Sequence, residues 1–173
     1  MKAVFLDRDG TVNAGVPKYD RVDSEQKVEI LPNTIEALTE LAQLDYGVFF
    51  VTNQVGLAEG LITRAEFDKI NNKVLELIAP SGIKVLKTYV CPHAEGDNCD
   101  CRKPKPRLLL DAAKEFDIDL GDSWIIGDRV SDVMAGLNAG TKAILVKTGI
   151  PTVESQDATF TASTLLEAVR HIA

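Results

Sequence analysis

Asp7 and Asp9 stand one residue apart at the end of a short apolar run, in Ala3-Val4-Phe5-Leu6-Asp7-Arg8-Asp9-Gly10-Thr11. Two carboxylates at the end of a buried strand lose hydration and repel each other, so something must neutralise them. A hard divalent cation does this most simply, because Mg²⁺ takes oxygen ligands from one or two carboxylates and a phosphate. Gly10 permits a sharp turn, and consecutive N–H groups in such a turn can face an anion. The stretch is a candidate metal-and-phosphate corner, although Asp and Gly after a strand are also ordinary turn chemistry.

Further polar sets follow further apolar runs. Thr52-Asn53 closes Val48-Phe49-Phe50-Val51, Cys91-Pro92-His93 follows Val85–Val90, Gly127-Asp128 closes Trp124-Ile125-Ile126, and Lys147-Thr148 follows Ala143–Val146. Hydrolysis of a phosphate monoester would use them together. Asp7, fixed closest to its strand, is the expected nucleophile, splitting a slow reaction in two through an aspartyl-phosphate. Asp9, on what reads as a mobile turn, is expected to protonate the leaving oxygen and later take a proton from water. Asp128 would complete a Mg²⁺ shell with Asp7. Lys103 would set a cation, and Thr52 a hydroxyl, against the phosphoryl oxygens. Asn53 is expected to orient phosphate or substrate, and Asp132 reads as a first-turn acid or an orienting partner.

The elements that must carry these residues alternate. Ala3–Leu6 reads as a strand, and 13–27 as a polar loop over the strand ends, with Gly15, Pro17 and Tyr19. A helix with Asn33 as N-cap and Glu36 in capping-box position is expected to run to about Asp45. Val48–Val51, lacking alternation, reads as a strand covered on both faces. Gly56 and Gly60 keep the next segment loose, before a helix from Thr63, capped with Glu66 and closed by Pro80-Ser81-Gly82. A third strand, the cysteine loop, a helix from about Pro106, a fourth strand, a helix over Ser131–Ala139 and a fifth strand follow. The tail from Ala162 to Ile172 reads as a last helix. This alternation predicts an α/β fold, a mainly parallel sheet sandwiched between helices in three layers. Ligands bind such a sheet at its carboxyl edge, where all the polar sets fall.

The chain of 173 residues, 45% hydrophobic and 26% charged, fits one soluble domain spanning 1–173. The net charge of −7 argues against a nucleic-acid or anionic-membrane binder, and no apolar run approaches a membrane span. The start, Met1-Lys2 and then a strand, has no signal-peptide pattern, so a cytoplasmic monomer acting on a small phosphorylated metabolite is expected.

All three cysteines gather in one window with one of the two histidines. Cys91, His93, Cys99 and Cys101 supply a full tetrahedral Zn²⁺ shell with no open position, which implies a structural ion stapling the 91–101 loop and steadying Arg102-Lys103.

The ordered set resembles the four motifs of the haloacid dehalogenase-type phosphohydrolases. Asp7-Arg8-Asp9-Gly10-Thr11 is similar to the first, Thr52-Asn53 to the second, Lys103-Pro104 to the third and Gly127-Asp128 to the fourth. The resemblance implies Mg²⁺, a phosphoaspartate, and contact of Asp9 with the metal through its backbone carbonyl. C-x-H…C-x-C followed by R-K-P resembles the branch containing D-glycero-D-manno-heptose 1,7-bisphosphate phosphatases and histidinol-phosphate phosphatases. That branch implies a Rossmann-like domain with no separate cap, in which loops choose the substrate. Gly56, Ala58 and Gly60 after Thr52-Asn53-Gln54 look more like the heptose enzymes, and Arg102 and Arg129 suit a second, distal phosphate and sugar oxygens. The short metal loop resembles the histidinol-phosphate enzymes, and Pro17-Lys18-Tyr19 lacks the Gly-Tyr pair associated with heptose enzymes. A receiver domain would carry its acceptor aspartate after a middle strand. A zinc-stapled binding module would not need Asp7, Asp9, Lys103 and Asp128 together. A polynucleotide phosphatase would want a basic track.

Overall fold

The structure is a computed structural model and describes residues 1–15, 18 and 20–173. Six strands pair in the order β3-β2-β1-β4-β5-β6. They are β1 (Ala3–Leu6), β2 (Gly47–Asn53), β3 (Val85–Cys91), β4 (Trp124–Gly127), β5 (Lys142–Val146) and β6 (Phe160–Ala162). Every neighbouring pair is parallel, so all carboxyl ends lie on one edge. The central β1 is buried throughout, and its Phe5 lies level with Phe49 of β2 and Ile125 of β4.

Alternation along the strands builds two cores. Val4, Leu6, Val48, Phe50, Ile126 and Ile144 face one way. They meet α1 (Thr34–Leu41), α3 (Arg64–Ile78) and α6 (Leu165–Ile172) through Leu38, Val74 and Val169. Phe5, Phe49, Val51, Ile125 and Leu145 face the other way and meet α4 (Arg107–Phe116) and α5 (Val130–Ala139) through Leu109 and Val133. Full burial of each such side chain contributes about 1.5–3 kcal/mol. These helix–sheet–helix layers hold the carboxyl edge rigid beneath the polar loops. No helix among the described residues is long and apolar enough to cross a membrane.

Four expectations need correction. Asn33 precedes α1 in the left-handed conformation and makes no side-chain cap bond. Glu36 forms no capping box and pairs instead with Arg170 of α6 at 3.0 Å. α1 ends at Leu41 because short-range bonds, Gln43 N–H to Glu40 and Leu44 N–H to Leu41, tighten the chain there. The segment with Gly56 and Gly60 is not wholly loose, since Val55–Ala58 forms a short helix, α2. The tail holds a sixth strand before its helix, and three residues are too few to give an alternating signal. By contrast, Thr63 and Glu66 form the expected reciprocal cap of α3.

Candidate active site

Lys103 brings the carboxyl edge together. Its ammonium is buried, and its Nζ lies 2.7 Å from Asp7 Oδ1, 2.6 Å from Asp132 Oδ1 and 2.7 Å from the Val51 carbonyl oxygen. Burial disfavours a charged ammonium, but Asp132 and Asp7 outweigh it and hold the Lys103 pKa above the ordinary lysine value. Carboxylate oxygens of Asp7, Asp128 and Asp132 all lie within 4.8 Å of one another. Thus residues following β1 and β4 meet an ammonium from the loop after β3.

Asp128 carries the strain of this arrangement. Its Oδ1 is buried without a hydrogen-bond partner. Burial, then the neighbouring carboxylates of Asp7 and Asp132, push its pKa up to about 9. Burial also raises Asp132, to about 6, against the opposing pull of Lys103. Gly10 (φ +98°) and Gly149 wall the Asp128 carboxylate so closely that a Cβ would stand 2.5 Å and 2.0 Å from its Oδ2. Thr148 Oγ1 donates to the Gly10 carbonyl oxygen at 2.6 Å and ties the β5 loop to the same turn.

The turn after Asp7 is firmly bonded, with Gly10 N–H to the Asn13 carbonyl and Val12 N–H to the Arg8 carbonyl. Asp9 therefore does not stand on the mobile turn expected for it. Asp9 Oδ1 accepts from Arg8 Nε at 3.0 Å and Asn13 Nδ2 at 2.9 Å, and Oδ2 from Arg8 Nη2 at 2.9 Å and Gln54 Nε2 at 2.8 Å. Burial pushes its pKa up, but the Arg8 charge and these bonds prevail and hold it below the usual carboxylate range.

Thr52 Oγ1 accepts from Gln54 Nε2 at 2.8 Å, which leaves its own O–H to donate elsewhere. Asn53, which lines the cavity, also makes a contact across the chain. Its Oδ1 accepts from Lys103 N–H at 3.1 Å and its Nδ2 donates to the Lys103 carbonyl at 3.2 Å, so it clamps the backbone that carries the ammonium. Asp7, Asp9, Thr52, Asn53 and Lys103 line a cavity of about 490 Å³ at the carboxyl edge, and half-buried Arg102 and exposed Arg129 line it too. From the 13–27 loop, Asp20, Arg21 and Val22 reach the cavity, and Arg21 Nη1 pairs with Glu59 at 2.9 Å. Pro17 and Tyr19 lie outside the described residues.

The Cys91, His93, Cys99 and Cys101 side chains converge beside this cavity. Cys91 Sγ lies 3.6 Å from Cys99 Sγ and 3.7 Å from His93 Nδ1, Cys101 Sγ 3.7 Å from Cys99 Sγ, and His93 Nδ1 3.3 Å from Cys101 Sγ. A tetrahedral zinc site with ordinary bond lengths has ligand–ligand edges of about 3.5–3.8 Å. Arg102 Nη1 donates to the His93 carbonyl at 3.3 Å and Lys105 Nζ to the Cys99 carbonyl, so the loop grips both flanks of Lys103.

Residues 100–171 match a family model described as HAD-hydrolase-like. The D-glycero-beta-D-manno-heptose-1,7-bisphosphate 7-phosphatase of Pasteurella multocida is 39% identical, over 97% of this chain and 92% of that protein. The chain belongs to the haloacid dehalogenase-like phosphatases. Within that family, the D-glycero-alpha-D-manno-heptose-1,7-bisphosphate 7-phosphatase of Campylobacter jejuni is 41% identical, over 84% of this chain and 81% of that protein. The D,D-heptose 1,7-bisphosphate phosphatase of B. bronchiseptica, solved in complex with magnesium and phosphate, superposes with a TM-score of 0.90. It is 33% identical and covers 99% of this chain and 98% of its own.

Two side chains at the haloacid dehalogenase-like site, Arg8 and Gln54, are not among the expected site residues, since a lone Gln or Arg next to a loop reads as solvated. Asp132, expected as a first-turn acid or an orienting partner, does stand in the first turn of α5, and Asp128 lies just before that helix.

Proposed function

We propose that this chain is a magnesium-dependent phosphate monoester hydrolase that works through an aspartyl-phosphate on Asp7 and removes the 7-phosphate of D-glycero-D-manno-heptose 1,7-bisphosphate. The observation that carries this reading is Lys103 Nζ held between Asp7 and Asp132, with Asp128 alongside, at the floor of an edge cavity. The substrate named for the P. multocida and C. jejuni relatives supports the choice of sugar.

The donor set fits magnesium: buried carboxylates, one oxygen unpartnered, in a space too tight for a further side chain. Asp7 and Asp128 would hold the ion together with the backbone carbonyl of Asp9. When bound, it supplies positive charge to the phosphoryl oxygens.

The protein's own groups then act in two halves. A carboxylate oxygen of Asp7 attacks phosphorus, the ester P–O bond breaks, and the departing oxygen takes a proton from Asp9. A dianionic ester beside Asp9 works against Arg8 and favours the protonated carboxyl that this half needs. In the second half Asp9 takes a proton from water as the water oxygen attacks phosphorus. The Asp7–phosphate bond breaks and inorganic phosphate leaves. The Lys103 ammonium and the free O–H of Thr52 face the transferring oxygens, and Asn53 holds Lys103 in place. Arg102 and Arg129 take the distal phosphate and sugar oxygens from the cavity wall.

Cys91, His93, Cys99 and Cys101 would hold a structural Zn²⁺ that keeps the Lys103 loop folded; the convergent thiols and imidazole support this. The chain then works as one domain over 1–173, its substrate chosen by loops 13–27 and 91–101. The test compares catalytic efficiency on heptose 1,7-bisphosphate and histidinol phosphate, with and without magnesium. A preference of at least about tenfold for the bisphosphate is expected, from one extra charge-assisted contact. Equal or better turnover of histidinol phosphate would reject the heptose reading.

A further inference from the structure

Arg8 is a charged side chain with no solvent exposure, set in the loop that carries the two acids. Its guanidinium carbon lies 5.2 Å from the centre of the Phe67 ring of α3. Nη1 is buried without a hydrogen-bond partner, a penalty that ordinary packing does not explain. Nε and Nη2 both reach Asp9, one to each carboxylate oxygen. Burial across this pair is lopsided, with the Arg8 side chain 0% exposed and the Asp9 side chain 23% exposed. Asp9 lines the cavity and Arg8 stands behind it.

The contact therefore has a direction. Each Asp9 oxygen is pinned twice, once by Arg8 and once by Asn13 or Gln54. A two-pronged guanidinium contact fixes the plane of a carboxylate, which a single point charge cannot do. Gln54 Nε2 also reaches Thr52 Oγ1, so that plane is locked to the hydroxyl at the end of β2.

We propose that Arg8 is a positioning residue. Seated against Phe67, its guanidinium sets the plane of the Asp9 carboxyl group, and with it the line along which the proton travels to the departing ester oxygen. The inference rests on the reading of Asp9 as acid and base given above.

The test uses the full chain loaded with magnesium and two esters that differ in leaving group. An alkoxide leaves only with a proton, whereas 4-nitrophenolate leaves without one. Arg8→Lys keeps the charge and loses the fork. It should lower kcat/KM on heptose bisphosphate by about 10- to 100-fold, part of what a general acid contributes. On 4-nitrophenyl phosphate the loss should stay below about threefold, and in an Asp9→Asn background Arg8→Lys should add less than about threefold on either ester. Equal losses on both esters, or losses that multiply with Asp9→Asn, would overturn the proposal in favour of a packing role. Should Arg8→Lys fail to fold by circular dichroism, Arg8→Gln, uncharged and easier to bury, carries the same comparison. Failure of both to fold also overturns it. An Asp9→Asn variant as active as wild type on the sugar would instead reject the acid–base reading itself.

Discussion

Asp128→Asn should make the magnesium-free protein more stable while abolishing hydrolysis. Asp128 is nearly inaccessible, its Oδ1 has no partner, and an Asp7 oxygen lies within 4.8 Å. At that separation two like charges repel by at least about 3 kcal/mol with an effective dielectric constant of about 20. Lys103 offsets part of this by pairing with Asp7 and Asp132, leaving about 2 kcal/mol for the substitution to recover. Asparagine has nearly the same shape, so the walls formed by Gly10 and Gly149 need not move, and its amide can donate to Asp7. In a chain of this length 2 kcal/mol raises Tm by about 4–8 °C.

The assay is thermal melting after dialysis into magnesium-free buffer, without a chelator that would also strip zinc, followed by titration with magnesium. Wild type should gain stability with magnesium, and Asp128→Asn should start higher and respond little. The pH dependence has a definite sign. Folding raises the Asp128 pKa from 3.8 to about 9, so the folded state binds the proton more tightly and the wild type loses stability as pH climbs between these values. The advantage of Asp128→Asn should shrink towards pH 4 and grow towards pH 9. A variant that melts at or below wild type in magnesium-free buffer would refute the view that Asp128 is a destabilising buried acid without a compensating partner.

Other substitutions separate the remaining roles. Asp7→Asn should reduce kcat by on the order of 10⁴-fold or more with the melting curve preserved, and near-normal turnover would remove the nucleophile assignment. Cys99→Ser should lower stability by about 2–5 kcal/mol, as loss of a native cross-link does, and affect kcat less; unchanged melting of a zinc-free protein would contradict a structural ion. Arg129→Ala should raise KM for the bisphosphate by about tenfold, the value of one charge-assisted hydrogen bond, and leave an aryl phosphate nearly untouched. Equal losses on both would deny Arg129 the distal phosphate.

The parts of the site legible from residue order were those that chain direction alone decides. Asp7, Thr52 and Asp128 each follow an unbroken apolar run, and parallel strands send such residues to one edge. Lys103 is legible through its neighbours, since it closely follows the convergent Cys91, His93, Cys99 and Cys101 loop. What the residues did not disclose is pairing across long separations. Nothing local reveals that the Asn53 amide spans the backbone of Lys103, fifty positions on. Arg8 was overlooked because burial of a guanidinium depends on Phe67 of α3, which arrives from a different layer. The Asn33 cap fails because Asn33 takes the left-handed conformation, while Glu36 pairs with Arg170 from the far end of the chain.

Charge balance at the edge links the two metal-related readings to the fold. Asp9 and Arg8 neutralise each other and add nothing to the field around Asp128. Lys103 pairs with Asp7 and Asp132, so full ionisation of Asp7, Asp128 and Asp132 leaves excess negative charge, up to two units, inside a space that excludes side chains. A monovalent ion would leave one of them buried and unpaired, whereas a divalent ion removes both. The incoming ester then brings negative charge of its own, which the neutralised floor can no longer offset. Arg102 and Arg129 stand on the cavity wall, where the proposed reading needs further cations. The proposed structural zinc would answer the same requirement. Lys103 has to be held against desolvation with its ammonium between two acids, and a loop without an apolar core of its own needs a cross-link to keep it there.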